Sequence, residues 1–533
     1  MKKERIILSA ILLIGLAVRI FIFNNEVYVG IDGVSYMRLG KNLIENGRYA
    51  FGENYNWGVF FQPMYPILIG MTDLLFNDLF FSAKFVSLFF SGITIFLFYL
   101  IGKELHNEES GLFASFIYAF HPSMLEVSVR VATEALFFFL LFLCIYLYMT
   151  SIRKNKFYSY MLLGILTAFL YLTRPEGIYL LLLPFLSLVG SNPFKNKKRL
   201  LGVAVAIVFF FLISSPYLFY IKNSTGKFAL SGKAVYLPVI LDAGVKSEEV
   251  EYDKAAYSLN DRKTHLQAFD VTSKASIISV IAKKPAEFVR GYISNSKIAL
   301  KTVLRFLMSV LMPLLFAFFS KDLFKDRNKM VLLVFSFVFF AVYPSFFILE
   351  KLMFPTALFL VLIASLGFVR STAAISAAAA YYCIRDNRVV LCLEKNIKCI
   401  IIMLCILTLC FFNAFRTDIF GEKEFPVEHM KAGLFLKNRV SSEYEKLNVM
   451  HRTPWVSFYS DARYTMLPYA NSSDVVNFAK RYHVDFIVID ERSSVSEWEM
   501  YNELINMDKY SDEVDLVYED DSEKLIRMFK VKY

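Results

Sequence analysis

Long apolar runs alternate along the chain with short polar stretches, and the charges in those stretches set how it threads a bilayer. A membrane-spanning helix needs ~20 mostly apolar residues. Runs that reach or approach this length fall at 6–23, 82–101, 111–128, 135–150, 157–172, 176–190, 200–221, 301–319, 330–347, 352–370 and 397–415. The pattern therefore predicts about eleven spans. The first follows Met-Lys-Lys-Glu-Arg, is interrupted by Arg19 near its outer end and lacks a small-residue cleavage site after it, so it reads as an uncleaved span. The stretch 61–80 is also apolar but holds Pro63, Pro66 and Asp73. Counting it as a span would reverse every later loop, so it reads as an interfacial helix on the outer leaflet.

Lys and Arg in the short loops give the orientation. With the N-terminus cytoplasmic, the inner loops hold Arg153, Lys154 and Lys156, then Lys195, Lys197, Lys198 and Arg199, then Lys321, Lys325, Arg327 and Lys329. The short outer loops hold Arg130, Arg174 and Lys351. An odd span count then places the C-terminal region outside. Two domains are expected: a transmembrane domain over 1–415, with outer loops at 24–81 and 222–300, and an extracytoplasmic tail over 416–533. In the tail, Val484–Asp490 reads as a buried strand, with Trp455–Tyr459 and Arg527–Val531 as further strand candidates. The fold class is thus a polytopic α-helical membrane protein with a small α/β C-terminal domain.

Composition agrees with this reading. Of 533 residues, 56% are hydrophobic and 20% charged, and the 55 Phe and 31 Tyr exclude a disordered or collagenous chain. The net charge of +10 sits in the gaps between apolar runs, which fits membrane topology and gives no reason to expect nucleic acid. Cys144, Cys383, Cys392, Cys399, Cys405 and Cys410 form no CxxC pair, and the histidines show no metal-ligand spacing. P-loop, GxGxxG, HExxH and GxSxG motifs are missing from the sequence.

Candidate chemistry therefore falls to ionisable residues at the outer membrane face. Asp32 opens a stretch in which Tyr36, Leu39 and Leu43 share a helical face and Gly47 ends the helix. It reads either as the N-cap of that helix or as a general base for a sugar acceptor. Glu134 follows Thr133, a plain N-cap, and would also suit the positive end of a helix dipole. Arg174-Pro175-Glu176 fits an ordinary helix start, and Glu350-Lys351 an interfacial ion pair. With Arg130, these residues place acids and cations in several outer loops at one face. Acids suit an acceptor hydroxyl, and cations suit a phosphate.

The order of these features resembles the GT-C class of integral-membrane glycosyltransferases, in particular the branch of protein O-mannosyltransferases and lipid A aminoarabinose transferases. The resemblance rests on Gly30-Ile-Asp32-Gly with Tyr36 after it, Gln62-Pro-Met-Tyr-Pro66, AFHPSMLEVSVRVATEALFFFL at 119–140, GILTAFLYLTRPEGIYLLL at 164–182 and EKLMFPTALFLVLIASLG at 350–367. In the tail, DARYTMLPYA at 461–470 and AKRYHVDFIVIDE at 479–491 carry it further. It implies a polyprenyl-phosphate-linked sugar donor, a lipid, protein or glycan acceptor, and transfer at the outer face of the cell membrane. It matches Asp32 to the first-loop catalytic acid and Glu134 to the acid of the second outer loop, so both are expected to be catalytic. Tyr36, Gln62, Arg130, Arg174, Glu176, Glu350 and Lys351 are the expected substrate contacts. Lys351 takes the place of an Arg and offers a point charge where the family offers a fork. Phe61-Gln62 stands where the aminoarabinose enzymes carry Glu-Lys. No cofactor is assigned, although the two outer acids are candidate ligands for a divalent cation. A lipid-linked glycan polymerase or ligase, a flippase and a non-catalytic subunit are the alternative functions.

Overall fold

A computed structural model describes residues 2–50, 57–152, 156–188, 197–235, 249–266, 277–345, 350–383, 400, 402–405, 408, 425–440 and 447–533. The chain divides into two compact units. The first contains 1–26, 84–214 and 285–422, and the second contains 27–83, 215–284 and 423–533.

Among the described residues, 7 helices are long and apolar enough to cross a membrane: Lys3–Asn25, Leu79–Leu105, Glu134–Ile152, Lys197–Thr225, Pro285–Phe318, Arg327–Ser345 and Glu350–Ala374. Each overlaps an expected span. Two other expected spans are shorter helices, Phe157–Thr173 and Pro175–Leu186. The run at 397–415 lies almost wholly outside the described residues. The helix before Phe318 begins at Pro285, well before the expected 301, because cationic residues on its outward face hid its first turns from a hydropathy reading.

The expected span at 111–128 is broken into Glu108–Phe120 and Pro122–Val127. Pro122 has no N–H for the carbonyl of Tyr118, and the N–H of Ser123 turns to His121 Nδ1 at 3.2 Å, leaving the carbonyl of Ala119 open. Arg19 fills both vacancies. Its guanidinium donates to Tyr118 O at 3.2 Å and Ala119 O at 2.7 Å, and also to Gly15 O and Ser91 Oγ. A fully buried arginine inside an apolar helix is thus explained by a proline some hundred residues away in sequence.

In the second unit, the helix Ile31–Asn46 packs on the helix Met64–Phe76. A Cβ on Gly40 would lie 2.3 Å from Pro66 O, and one on Gly70 would lie 2.5 Å from Gly40 O, so the two backbones meet through glycine. Gly47, at φ 65°, closes the first helix as expected.

The C-terminal part of this unit is a five-stranded sheet: β1 (Asn448–His451), β2 (Arg463–Met466), β3 (Phe486–Asp490), β4 (Val514–Asp520) and β5 (Ile526–Val531), in the order β2-β1-β3-β5-β4. β1 runs parallel to β2 and β3, whereas β5 is antiparallel to β3 and β4. β3 is buried along its whole length because both faces are covered: Ile487 and Ile489 join one apolar cluster, Phe486 and Val488 the other. Val484–Asp490 and Arg527–Val531 are the expected strands, but Trp455–Tyr459 is a helix. Its β-prone aromatics are overridden by the turn at Thr453-Pro454 that starts it and by Trp455, Val456 and Ser457 packing inward.

Part of the segment 222–300 packs into this sheet domain. Ala256, Tyr257 and Leu266 belong to the same apolar cluster as Met450, Ile487 and Phe529. Asp253 is fully buried and accepts from Arg452 Nη2 at 2.6 Å, Arg452 Nε at 3.1 Å, Trp498 Nε1 at 3.1 Å and the Ser494 hydroxyl.

Candidate active site

The residues expected to carry chemistry fall in both units. In the first, Glu134 opens the helix Glu134–Leu147, and Thr133 sits at its N-cap without making a side-chain cap bond. The Glu134 carboxylate, 3% exposed, accepts from Arg174 Nη1 at 3.0 Å and faces Lys351 Nζ at 3.6 Å. Arg174 stands between the helix Phe157–Thr173 and the 3-10 turn begun by Pro175, and it also reaches Glu176 at 3.4 Å. Its guanidinium lies over the Phe137 ring at 5.5 Å. Lys351 comes from the turn that leads into the helix Phe354–Cys383. Cations from two separate segments therefore converge on one carboxylate.

Glu350 and Lys351 each pair with a residue distant in sequence. Glu350 takes Arg305 at 2.9 Å, a partner the sequence did not suggest, while Lys351 turns to Glu134. Arg130 pairs with Glu126, four residues before it. Glu134 already holds two cations, and a divalent cation bound there would have to displace them. Tyr343 was missed from the sequence. It is buried, its hydroxyl has no hydrogen-bond partner among the described residues, and it feels the charges of Glu176, Arg174 and Glu134. The Tyr-Pro-Ser break at the end of its span was the available signal.

In the second unit, Asp32 occupies the second position of its helix, and Gly30 is the N-cap, without a side-chain bond. The N-cap reading of Asp32 is thereby corrected: the chain is already helical at Ile31. The Asp32 carboxylate is exposed and has no hydrogen bond or ion pair among the described residues. Tyr252 is a second residue missed from the sequence. Burial raises its hydroxyl pKa above the ordinary value, Arg452 opposes this, and the charges of Asp253 and Asp32 add to it. Tyr36 packs edge-on against Phe61 at 5.2 Å and Tyr65 at 5.4 Å. Gln62 is buried with its amide nitrogen unpartnered among the described residues.

Residues 62–220 match the family model described as dolichyl-phosphate-mannose-protein mannosyltransferase. No curated protein sequence matches the chain. The fold is similar to that of ArnT from Cupriavidus metallidurans bound to undecaprenyl phosphate, with a TM-score of 0.63 over 98% of this chain and 97% of that one at 10% identity. It is also similar to the archaeal oligosaccharyltransferase AglB from Archaeoglobus fulgidus in complex with an inhibitory peptide and a dolichol-phosphate. There the TM-score is 0.56, over 91% of this chain and 69% of that one at 12% identity. The Archaeoglobus fulgidus oligosaccharyltransferase complex with Zn and sulfate gives 0.59 at 14% identity, over 95% and 70% of the two chains. These matches bear out the resemblance to the GT-C class and the multi-pass helical fold with a small C-terminal sheet domain.

Proposed function

We propose that the protein is a membrane glycosyltransferase that moves a sugar from a polyprenyl-phosphate-linked donor to an acceptor hydroxyl. The observation that carries this reading is the convergence of Arg174 and Lys351 on Glu134. Transfer from a lipid phosphate requires positive charge where the leaving phosphate develops its own negative charge. Lys351, 41% exposed and held by an open ion pair, is the cation able to turn to that phosphate. Arg174, 14% exposed and gripped by Glu134 and Glu176, positions the carboxylate that in turn positions Lys351. Glu134 is thus a positioning residue in this reading. Asp32, unpaired and exposed at a helix start, is the base that takes the acceptor proton. Tyr36 and Gln62, on and beside the helix pair that carries Asp32, are the acceptor-side contacts. The neighbours solved with undecaprenyl phosphate and with dolichol-phosphate support a lipid donor for this fold.

The reading includes orientation: N-terminus cytoplasmic, with Asp32, Glu134 and the C-terminal domain outside. Single cysteines at positions 250 and 480, in a background lacking native cysteines, are expected to label in intact cells. Labelling only after the cytoplasm is opened would reverse the orientation. Activity is tested by mass spectrometry of surface glycans and lipids from cells with and without the protein. One sugar missing from one acceptor class is expected. The same sugar missing, but with the intact donor accumulating on the inner leaflet instead of the outer one, would favour a flippase.

A further inference from the structure

Three buried side chains in the C-terminal domain point their donor atoms at one another, and the reaction proposed above uses none of them. His451 ends β1 and Asp490 ends β3, and these strands are adjacent and parallel, so both side chains leave the sheet at its carboxyl edge. That edge is where α/β sheets bind ligands. His429 comes to the same place from the helix Val427–Val440. All three side chains are 0% exposed. One donor atom from each lies within 4.8 Å of the others.

The hydrogen bonds leave one atom unaccounted for. His429 Nδ1 stands 3.0 Å from Glu428 Oε1, and Glu428 is itself gripped by Arg492, so Glu428 is an acceptor and Nδ1 carries the proton. When the ring is neutral its Nε2 presents a lone pair, and that atom is buried with no hydrogen-bond partner among the described residues. It faces Asp490 Oδ1 at 3.6 Å, too long for a hydrogen bond. Two metal–ligand bonds of ~2.1 Å at a tetrahedral angle would set their donors roughly 3.4 Å apart. Glu428 and Arg492 neutralise each other. Among the described residues, Asp490 accepts hydrogen bonds from Ser493 N at 2.6 Å, Ser493 Oγ at 2.9 Å and His451 Nε2 at 2.8 Å.

We propose that His429, His451 and Asp490 bind a divalent transition-metal ion of the zinc class. Two imidazoles with one carboxylate select such ions over magnesium or calcium. Glu428 on His429 Nδ1 supplies the outer carboxylate that commonly orients a ligating histidine. Loading the ion moves the His451 proton from Nε2 to Nδ1, which faces Thr453 Oγ1 at 3.5 Å, so that Nε2 ligates as a neutral imidazole, and the His451–Asp490 pair opens by about half an ångström. The fourth position takes a water or the second Asp490 oxygen. The ion ties together β1, β3 and the helix Val427–Val440. The Trp455 ring lies 5.1 Å from His429, and its Nε1 donates to Val29 O at 2.9 Å, one residue before the N-cap of the Asp32 helix. The site therefore braces the segment that presents Asp32.

The test uses the full-length protein in detergent, from cells grown with added zinc or cobalt. Elemental analysis is expected to give about one zinc per chain, falling below about 0.2 in His451→Gln and Asp490→Asn. Treating the parent protein with a chelator should lower its unfolding temperature by several degrees, and zinc should restore it. This arm needs no variant to fold. Cobalt-loaded protein should show d–d absorption characteristic of mixed nitrogen–oxygen ligation. Less than about 0.1 metal per chain, together with no thermal response to chelator or zinc, would leave a hydrogen-bonded cluster and overturn the proposal. Stoichiometric metal that persists in both folded variants would place the ion elsewhere and overturn it equally.

Discussion

Lys351 and Glu134 form an open ion pair: the ammonium stands 3.6 Å from Glu134 Oε1, whereas Arg174 closes on the same oxygen at 3.0 Å. Glu134 is buried and Lys351 is 41% exposed, so the pair has one fixed member and one that can move. A loosely held cation beside a fixed carboxylate can change partners when a phosphate arrives. A tightly gripped one cannot do so without stranding a buried charge.

Lys351→Ala and Arg174→Ala should therefore fail in different ways. Charge-assisted contacts to phosphate contribute roughly 1.5–3 kcal/mol each, so Lys351→Ala should raise donor KM about 10- to 100-fold and unfold near the parent temperature. Arg174→Ala leaves Glu134 buried with only the loose partner. It should lower the unfolding temperature as well, because breaking a buried pair costs ~3–5 kcal/mol. An unchanged donor KM in a folded Lys351→Ala protein would remove Lys351 from the phosphate.

Tyr343 offers a sharper contrast between stability and activity. Its buried hydroxyl has no partner among the described residues, so Tyr343→Phe removes an unsatisfied group and should leave the unfolding temperature unchanged or slightly raised. If the hydroxyl meets substrate beside Arg174 and Glu176, transfer should fall at least several-fold while the protein stays folded. Parent-level transfer would make Tyr343 a packing residue.

Much of this was legible in the chain, and the reasons for the exceptions are specific. Apolar length announced the seven long helices found among the described residues, and the acids and cations between apolar runs announced Glu134, Arg174 and Lys351 as a group. The break at His121-Pro122 was hidden because its neighbours are apolar, and its cost is met by Arg19 from another helix. Which cation each acid takes was not legible either, since Glu350–Arg305 and Lys351–Glu134 join loops far apart in sequence. The histidines looked scattered for the same reason. His429 and His451 are 22 positions apart and meet only because a helix and a strand end at one edge of the sheet. Trp455–Tyr459 was misread because β propensity reports side-chain fit to a half-buried surface, and a short inward-packing helix offers the same fit.

Arg452 and Asp253 join the helix Glu249–Tyr257 to the sheet domain, and Asp253 is fully buried. Arg452→Ala should cost ~3–5 kcal/mol of that domain's stability by leaving a buried carboxylate without its cation. Limited proteolysis should then cut within 249–266 well below the parent's unfolding temperature. Equal protease resistance in parent and variant would show that the loop is held by Tyr257 and Leu266 packing alone.

Asp32 decides whether the proposed chemistry stands. Its side chain makes no cap bond, so Asp32→Asn forfeits only a first-turn dipole interaction of ~0.3–1 kcal/mol and should unfold close to the parent. An amide cannot accept a proton from a hydroxyl. General-base catalysis contributes ~10²–10⁴-fold, or roughly 3–5.5 kcal/mol of barrier. The Asn variant should therefore reach the membrane, bind donor with parent-like KM and lose sugar transfer by at least ~10²-fold, whereas Asp32→Glu should recover part of the rate because it restores a carboxylate. Glu134→Gln should cost less in kcat and more in donor KM, since that acid places Lys351 and takes no proton. The comparison is made by single-turnover transfer with saturating donor, which separates chemistry from binding. Parent-level turnover in a folded Asp32→Asn protein would leave Asp32 a solvated helix residue and remove it from the chemistry.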